Sequence, residues 1–143
     1  MMNLLIKILA TGLGSGYLRP APGTWGSLLG LVIAWFWPVP LVWIIVFSLL
    51  GVVICQLGEK ILNELDSPKI VFDEIVGIWI SLWAIPLILY PVAFILFRFF
   101  DIFKFFPINN LQKIPGGLGI MLDDIAAGII TRTLLGIIIL LYF

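Results

Sequence analysis

The chain has 143 residues, of which 62% are hydrophobic and only 11% are charged, and its formal net charge at pH 7 is zero. Soluble domains carry about a quarter charged residues, so this composition predicts an all-α integral membrane protein with one domain, residues 1–143. A neutral chain argues against nucleic acid as a partner, and the absence of histidine excludes His-based metal sites and Ser/His/Asp triads.

The first polar segment, residues 11–27, is rich in glycine and proline. Its glycines let backbone N–H groups form an anion-binding nest, and Thr24 and Ser27 stand where a helix is expected to begin, a place suited to phosphate. The alternative is a flexible turn with a capping hydroxyl. The candidate substrate-binding residues in this segment are Ser15, Arg19, Gly23, Thr24 and Ser27.

Three apolar stretches predict the membrane-embedded helices, at 28–58, 75–97 and 125–143. Prolines interrupt the first two stretches, so each is predicted to fold as a helical hairpin with a proline-containing tip. The predicted arms are 28–37 and 41–58 in the first hairpin, and 75–85 and 92–103 in the second. The last stretch is long enough to span a bilayer as one helix.

Positive charge predicts the orientation of these helices. Lys and Arg residues concentrate in the polar segments and none is close in sequence to either proline tip, so the three polar segments are expected on the cytoplasmic face and the tips on the opposite face. Arms of about eleven residues rise only about 16 Å against a hydrocarbon core of about 30 Å, so a re-entrant second hairpin is an alternative. A single span over 75–97 is another, and it would separate the two acidic pairs described below. Arg132, in the last helix, is expected to snorkel back or to reach into a site.

The second polar segment, residues 59–74, opens with charges that are typical of a solvated helix end, at Glu59, Lys60 and Glu64. Asp66-Ser67-Pro68 follows and is typical of a turn.

Two similar motifs each place adjacent carboxylates before an apolar run: Asp73-Glu74 and Asp123-Asp124. A carboxylate inside the hydrocarbon costs several kcal/mol, so retaining both pairs indicates a function. Holding a hard divalent cation such as Mg2+ is the leading hypothesis, because Mg2+ prefers oxygen ligands. The alternative interpretations are helix caps with neighbouring acids that arose by chance, and a small membrane ion transporter that uses interfacial carboxylate pairs.

The third polar segment, residues 98–124, opens with Arg98, Asp101 and Lys104, which are spaced by three and share one helix face. Asp101 could bind metal while Arg98 and Lys104 bind phosphate, or the three could be a salt-bridged helix end. Residues 115–119, Pro-Gly-Gly-Leu-Gly, are predicted to form a flexible loop that brings the second acidic pair to the membrane surface.

Four motifs, in this order, resemble those of the phosphatidylglycerophosphatase A family. They are Gly14–Tyr17 with Ala21–Ser27, Ile70–Gly77, Phe97–Asp101 and Gly116–Asp124. The resemblance covers nearly the whole chain. It implies a Mg2+-dependent phosphatase of the bacterial inner membrane, multi-pass with its active site facing the cytoplasm, that converts phosphatidylglycerophosphate into phosphatidylglycerol. The chain departs from the family after Lys104, where Phe105 replaces the usual proline, and at Asp66, which Ser67 separates from Pro68.

The resemblance also implies roles for the charged residues. The implied metal ligands are Asp73, Glu74, Asp101, Asp123 and Asp124, and the implied catalytic residues are Asp73, Asp123, Asp124, Arg98 and Lys104. Water activated by Mg2+ is the expected nucleophile, with Arg98 and Lys104 stabilising the phosphoryl group. An aspartyl-phosphate intermediate is the alternative, and the absence of an Asp-x-Asp-x-Thr/Val signature argues against it.

Overall fold

A computed structural model describes all 143 residues of the protein. The chain forms seven α-helices and two short 3₁₀ turns and has no β-strand. The helices are α1 Met2–Ala10, α2 Pro22–Phe36, α3 Leu41–Leu62, α4 Phe72–Leu82, α5 Tyr90–Phe103, α6 Ile108–Leu111 and α7 Gly116–Tyr142. The 3₁₀ turns are Ser15–Tyr17 and Leu87–Leu89. The all-α prediction is confirmed.

Both predicted hairpins are present. The chain leaves helical geometry between α2 and α3 at Pro38–Pro40, and between α4 and α5 around Pro86. Proline cannot donate a backbone hydrogen bond and its ring clashes with the preceding turn, which explains both breaks. Residues 75–97 therefore do not form the single helix that was one alternative. Helix α2 begins earlier than the apolar stretch 28–58, because Pro22 provides a favourable first helical residue.

Two helices are long and apolar enough to cross a membrane: α3 with 22 residues and α7 with 27. About 20 apolar residues are needed to cross a hydrocarbon core of about 30 Å. Only 22% of the apolar window of each helix is buried inside the protein. Most of this apolar surface therefore faces outward, as expected of helices in contact with lipid.

The glycine-rich residues 115–119 do not form the predicted loop, because α7 already begins at Gly116. The prediction was wrong because it treated these glycines as flexible, whereas they serve close packing. A Cβ on Gly117 would collide with the Val52 carbonyl of α3, so the two helices touch here. The Gln56 side chain accepts the Gly117 N–H at 2.8 Å and satisfies one free donor of the first turn.

The acidic pairs are not helix caps. Asp123 and Asp124 lie about two turns inside α7, so the capping alternative is wrong for this pair. Asp73 is the second residue of α4, and no side chain makes a capping hydrogen bond at that helix start. Glycines at the crossing of α4 and α7 allow the close approach that brings the pairs together, since a Cβ on Gly128 would come within 2.6 Å of the Gly77 carbonyl oxygen.

Two charged residues differ from their predicted surroundings. Glu59 is only 5% exposed and accepts the backbone N–H of Asp66 at 2.7 Å, so it is not part of a solvated helix end. Arg132 does not reach the acidic residues: its Nε donates to the Trp83 carbonyl at 2.5 Å, and its guanidinium lies over the Trp83 ring. The partner of Arg132 is 49 residues away in sequence, which is why local patterns did not reveal it.

Candidate active site

A cavity of about 270 Å³ lies where the start of α4, the end of α5 and the first turns of α7 meet. Its lining is mainly polar. The charged residues that line it are Asp66, Asp73, Glu74, Arg98, Asp101, Lys104, Asp123 and Asp124. The structure thus brings together every predicted catalytic and metal-binding residue, from two polar segments that are far apart in sequence.

Three buried carboxylates form the centre of this cavity. One oxygen each from Asp73, Asp123 and Asp124 lies within 4.8 Å of the others. A Mg2+ ion holds its ligand oxygens at about 2.1 Å and so bridges separations of up to about 4.2 Å. Small side-chain rotations would let all three share one cation.

Several carboxylate oxygens in the cavity are buried without any hydrogen-bond partner. They are Asp73 Oδ1, Glu74 Oε2, Asp123 Oδ1 and Asp124 Oδ2. Burying a carboxylate without a partner costs free energy. These oxygens are therefore expected to bind a positively charged group that is not part of the protein. Six carboxylates with only two basic side chains leave an excess of four negative charges. An all-oxygen donor set with this excess fits a hard divalent cation such as Mg2+.

The two basic residues of the cavity are held by Asp101. Lys104 Nζ lies 3.2 Å from Asp101 Oδ1 and 2.7 Å from Asp123 Oδ2, and a terminal guanidinium nitrogen of Arg98 pairs with Asp101 Oδ2. Asp101 therefore pairs with both cations of the cavity. Burial alone would lower the pKa of Lys104, but the carboxylates of Asp101 and Asp123 outweigh it and hold the pKa above its usual value, so Lys104 stays protonated.

Gly23 brings the start of α2 against this site. A Cβ at Gly23 would lie 2.9 Å from Glu74 Oε1 and 3.2 Å from both terminal nitrogens of Arg98. Glycine is therefore the residue that leaves these two side chains their space.

None of the five predicted substrate-binding residues lines the cavity itself. Ser27 is buried and its hydroxyl donates to the Gly23 carbonyl at 2.8 Å, while Thr24 is half-buried. Ser15 makes only a long hydrogen bond, 3.4 Å, to the Thr11 carbonyl, and Arg19 is exposed. Of the five, only Gly23 has its neighbours among the charged residues of the site.

Asp66 lines the cavity, but the sequence motifs indicated no catalytic or metal-binding role for it. It sits in a left-handed conformation with φ of 47°, and Glu59 holds its backbone N–H. The signal that could have identified Asp66 as a site residue is the one that identified the acidic pairs: a carboxylate that is retained in a very apolar chain. The turn-forming context of Asp66-Ser67-Pro68 favoured a structural interpretation instead.

Comparison with known proteins adds to this geometry. The family model described as phosphatidylglycerophosphatase A matches residues 8–139. The chain is 43% identical to phosphatidylglycerophosphatase A of Haemophilus influenzae, over 87% of this chain and 82% of the relative, and 36% identical to the Escherichia coli protein of the same name, over 90% and 80%. It is also 35% identical, over 94% of each chain, to a Bacteroides thetaiotaomicron protein whose name provisionally gives it as a phosphatidylinositol-3-phosphatase. No solved structure matches the chain.

Proposed function

Because the chain belongs to the phosphatidylglycerophosphatase A family, and is therefore a phosphatase, we propose that it hydrolyses the terminal phosphate of phosphatidylglycerophosphate. The products are phosphatidylglycerol and inorganic phosphate, in phospholipid biosynthesis. The observation that carries the proposal is the cavity in which buried, unpaired carboxylates face Arg98 and Lys104. The ion-transporter hypothesis has no such support, because the family and both named relatives above 35% identity are phosphatases.

Asp73, Asp123 and Asp124 are the residues that would hold Mg2+, with Glu74 beside them. When bound, Mg2+ activates water for attack and offsets negative charge on the phosphoryl oxygens. The carboxylates fix the position at which the phosphate and the water meet. We favour water over an Asp nucleophile because the same carboxylates are required as ligands, which lowers their nucleophilicity.

Arg98 and Lys104 would bind the non-bridging oxygens of the phosphate. Asp101 pairs with both and aims them into the cavity, and Arg98 Nε is buried with no partner, so a donor remains free for an incoming anion. Charge-assisted hydrogen bonds to phosphate strengthen as charge develops on it during the reaction. This is how two fixed cations would accelerate the loss of a poor alkoxide leaving group.

We further propose that the polar segments lie together on the cytoplasmic side of a bacterial inner membrane. The convergence of Asp73 with Asp123 and Asp124 supports a common side, and the concentration of Lys and Arg in these segments supports the cytoplasm. The chain would cross or enter the bilayer several times.

The second hairpin, α4 to α5, would be re-entrant. The 11 residues of α4 rise only about 16 Å. Its end at Trp83 contacts Arg132, and α7 continues for ten further residues, or about 15 Å, to Tyr142. The tip would therefore end inside the bilayer, where Arg132 supplies donors to carbonyls that water cannot reach.

Phosphate release from phosphatidylglycerophosphate in detergent micelles, with Mg2+ present, tests the proposed function. We expect turnover by the wild type, loss of turnover in Asp124→Asn, and near wild-type turnover in Glu64→Gln, whose side chain is exposed. No phosphate release by the wild type, together with ion uptake in proteoliposomes, would favour the transporter instead.

A further inference from the structure

Two lysine ammonium groups lie close to the ring of Tyr17. Lys7 Nζ is 5.9 Å and Lys69 Nζ is 5.6 Å from the ring centroid. We call Lys7, Tyr17 and Lys69 the tyrosine–lysine cluster. No ion pair involves either lysine, because all three ion pairs of the protein are formed by Arg98 and Lys104 with residues of the active site. Two unneutralised cations beside one aromatic ring form a place that favours an anion.

The tyrosine–lysine cluster adjoins the active site. Pro68 and Ile70, the residues on either side of Lys69, both line the cavity. The Val71 N–H donates to the Ala10 carbonyl at 2.8 Å, which ties the end of α1 to the segment that leads into α4. Gly16 packs directly on the Lys69 carbonyl, so a Cβ there would collide with it. The cluster is thus fixed relative to the carboxylates.

The surroundings of the cluster indicate what kind of anion it meets. On α1, the helix that carries Lys7, the side chains of Leu4, Leu5 and Ile8 are exposed. A helix with exposed apolar residues, a lysine and a neighbouring tyrosine is typical of the boundary between lipid tails and headgroups. The anion presented at that boundary is the phosphodiester of a glycerophospholipid.

We propose that Lys7, Tyr17 and Lys69 bind a lipid phosphodiester, and that in the substrate this is the phosphate that joins the headgroup glycerol to the diacylglycerol. This inference rests on the proposed function. The terminal phosphate, three carbons away across the glycerol, would lie between Arg98 and Lys104. The cluster would then select lipids that carry both phosphates, and would hold the product phosphatidylglycerol, which keeps the diester, after the terminal phosphate has left.

Inhibition by the two reaction products distinguishes the proposed phosphodiester site from the terminal-phosphate site. Phosphate release from phosphatidylglycerophosphate is measured in neutral detergent micelles, with phosphatidylglycerol or inorganic phosphate added as inhibitor. For Lys69→Met and Lys7→Met we expect the inhibition constant for phosphatidylglycerol and the KM to rise about tenfold, the effect of losing one charged hydrogen bond, with kcat preserved. Inhibition by inorganic phosphate should stay unchanged, because free phosphate reports only on the terminal-phosphate site.

Two further variants exclude a general effect of charge or folding. Lys60→Met removes an exposed lysine at the end of α3 and should leave both inhibition constants unchanged. Lys69→Arg keeps the cation and should restore inhibition by phosphatidylglycerol. Unchanged inhibition by phosphatidylglycerol in both methionine variants would overturn the proposal, as would an equal loss in Lys60→Met. Absence of turnover in the wild type would instead refute the proposed function, so the two failures are distinguishable.

Discussion

Lys104 Nζ lies 2.7 Å from Asp123 Oδ2 and so joins the end of α5 to α7 across the cavity. The same ammonium group lies 3.2 Å from Asp101 on its own helix. Lys104 ends α5 in a left-handed conformation and is thus fixed between Asp101 of α5 and Asp123 of α7.

Lys104→Met should lower kcat about a hundredfold, because one preorganised charge on the developing phosphoryl charge is lost. The measurement is phosphate release per mole of correctly folded protein. Lys113→Met, which removes an exposed lysine of the same polar segment, should keep its rate. A lower melting temperature with a normal rate per folded molecule would show that Lys104 only bridges the two helices.

Arg98→Lys should lower kcat/KM by about tenfold or more even though the charge is kept. Lysine cannot form the two parallel hydrogen bonds that a guanidinium offers to phosphate. Arg132→Lys is the matched control, since Arg132 contacts the Trp83 carbonyl and not the cavity, and its rate per folded molecule should be normal. Equal kcat/KM values for the wild type and Arg98→Lys would show that Arg98 does not bind phosphate through two parallel hydrogen bonds.

Gly23→Ala should reduce activity about tenfold without reducing stability. The new Cβ would lie 2.9 Å from Glu74 Oε1 and would displace it together with the Arg98 guanidinium. Alanine is nonetheless the better helix former by up to about 1 kcal/mol, so the melting temperature should hold or rise. Kinetics and thermal unfolding on one preparation check this, and full activity would mean that the start of α2 does not constrain the site.

The structural features that could be predicted from the sequence are those with a local cause. The helix breaks at Pro38–Pro40 and Pro86 follow from proline geometry alone, and both were predicted. The convergence of the acidic pairs was expected from their similar motifs and from the shared positive charge of their segments. Each of these signals lies within a short segment of the sequence.

The errors arose where packing between distant segments decided the outcome. Gly117 is helical where α3 packs against it, although glycine by itself favours loops. Arg132 likewise has its acceptor 49 residues away, at Trp83. No local pattern encodes the contacts of Gly117 or Arg132. The contact of Glu59 is closer in sequence, since it accepts the N–H of Asp66 seven residues later.

Single cysteines in a Cys55→Ser background test the membrane placement. Leu65 and Asn110, in the polar segments, and Ile88, at the second tip, are all exposed on the protein surface. A membrane-impermeant maleimide added outside intact cells should label a cysteine at Tyr142 and none of the other three. Labelling at Ile88 would mean that the second hairpin crosses the bilayer completely.

We propose that the buried carboxylates Asp73, Asp123 and Asp124 hold a divalent cation that phosphate release requires. The most direct measurement is phosphate release from phosphatidylglycerophosphate by metal-free protein titrated with Mg2+, paired with the melting temperature at each concentration. We expect no turnover in EDTA, full recovery with Mg2+, and a melting temperature that rises with Mg2+ in the wild type but not in Asp124→Asn, because the cation relieves the excess negative charge. Full activity in excess EDTA, with a melting temperature that Mg2+ does not change, would contradict the account.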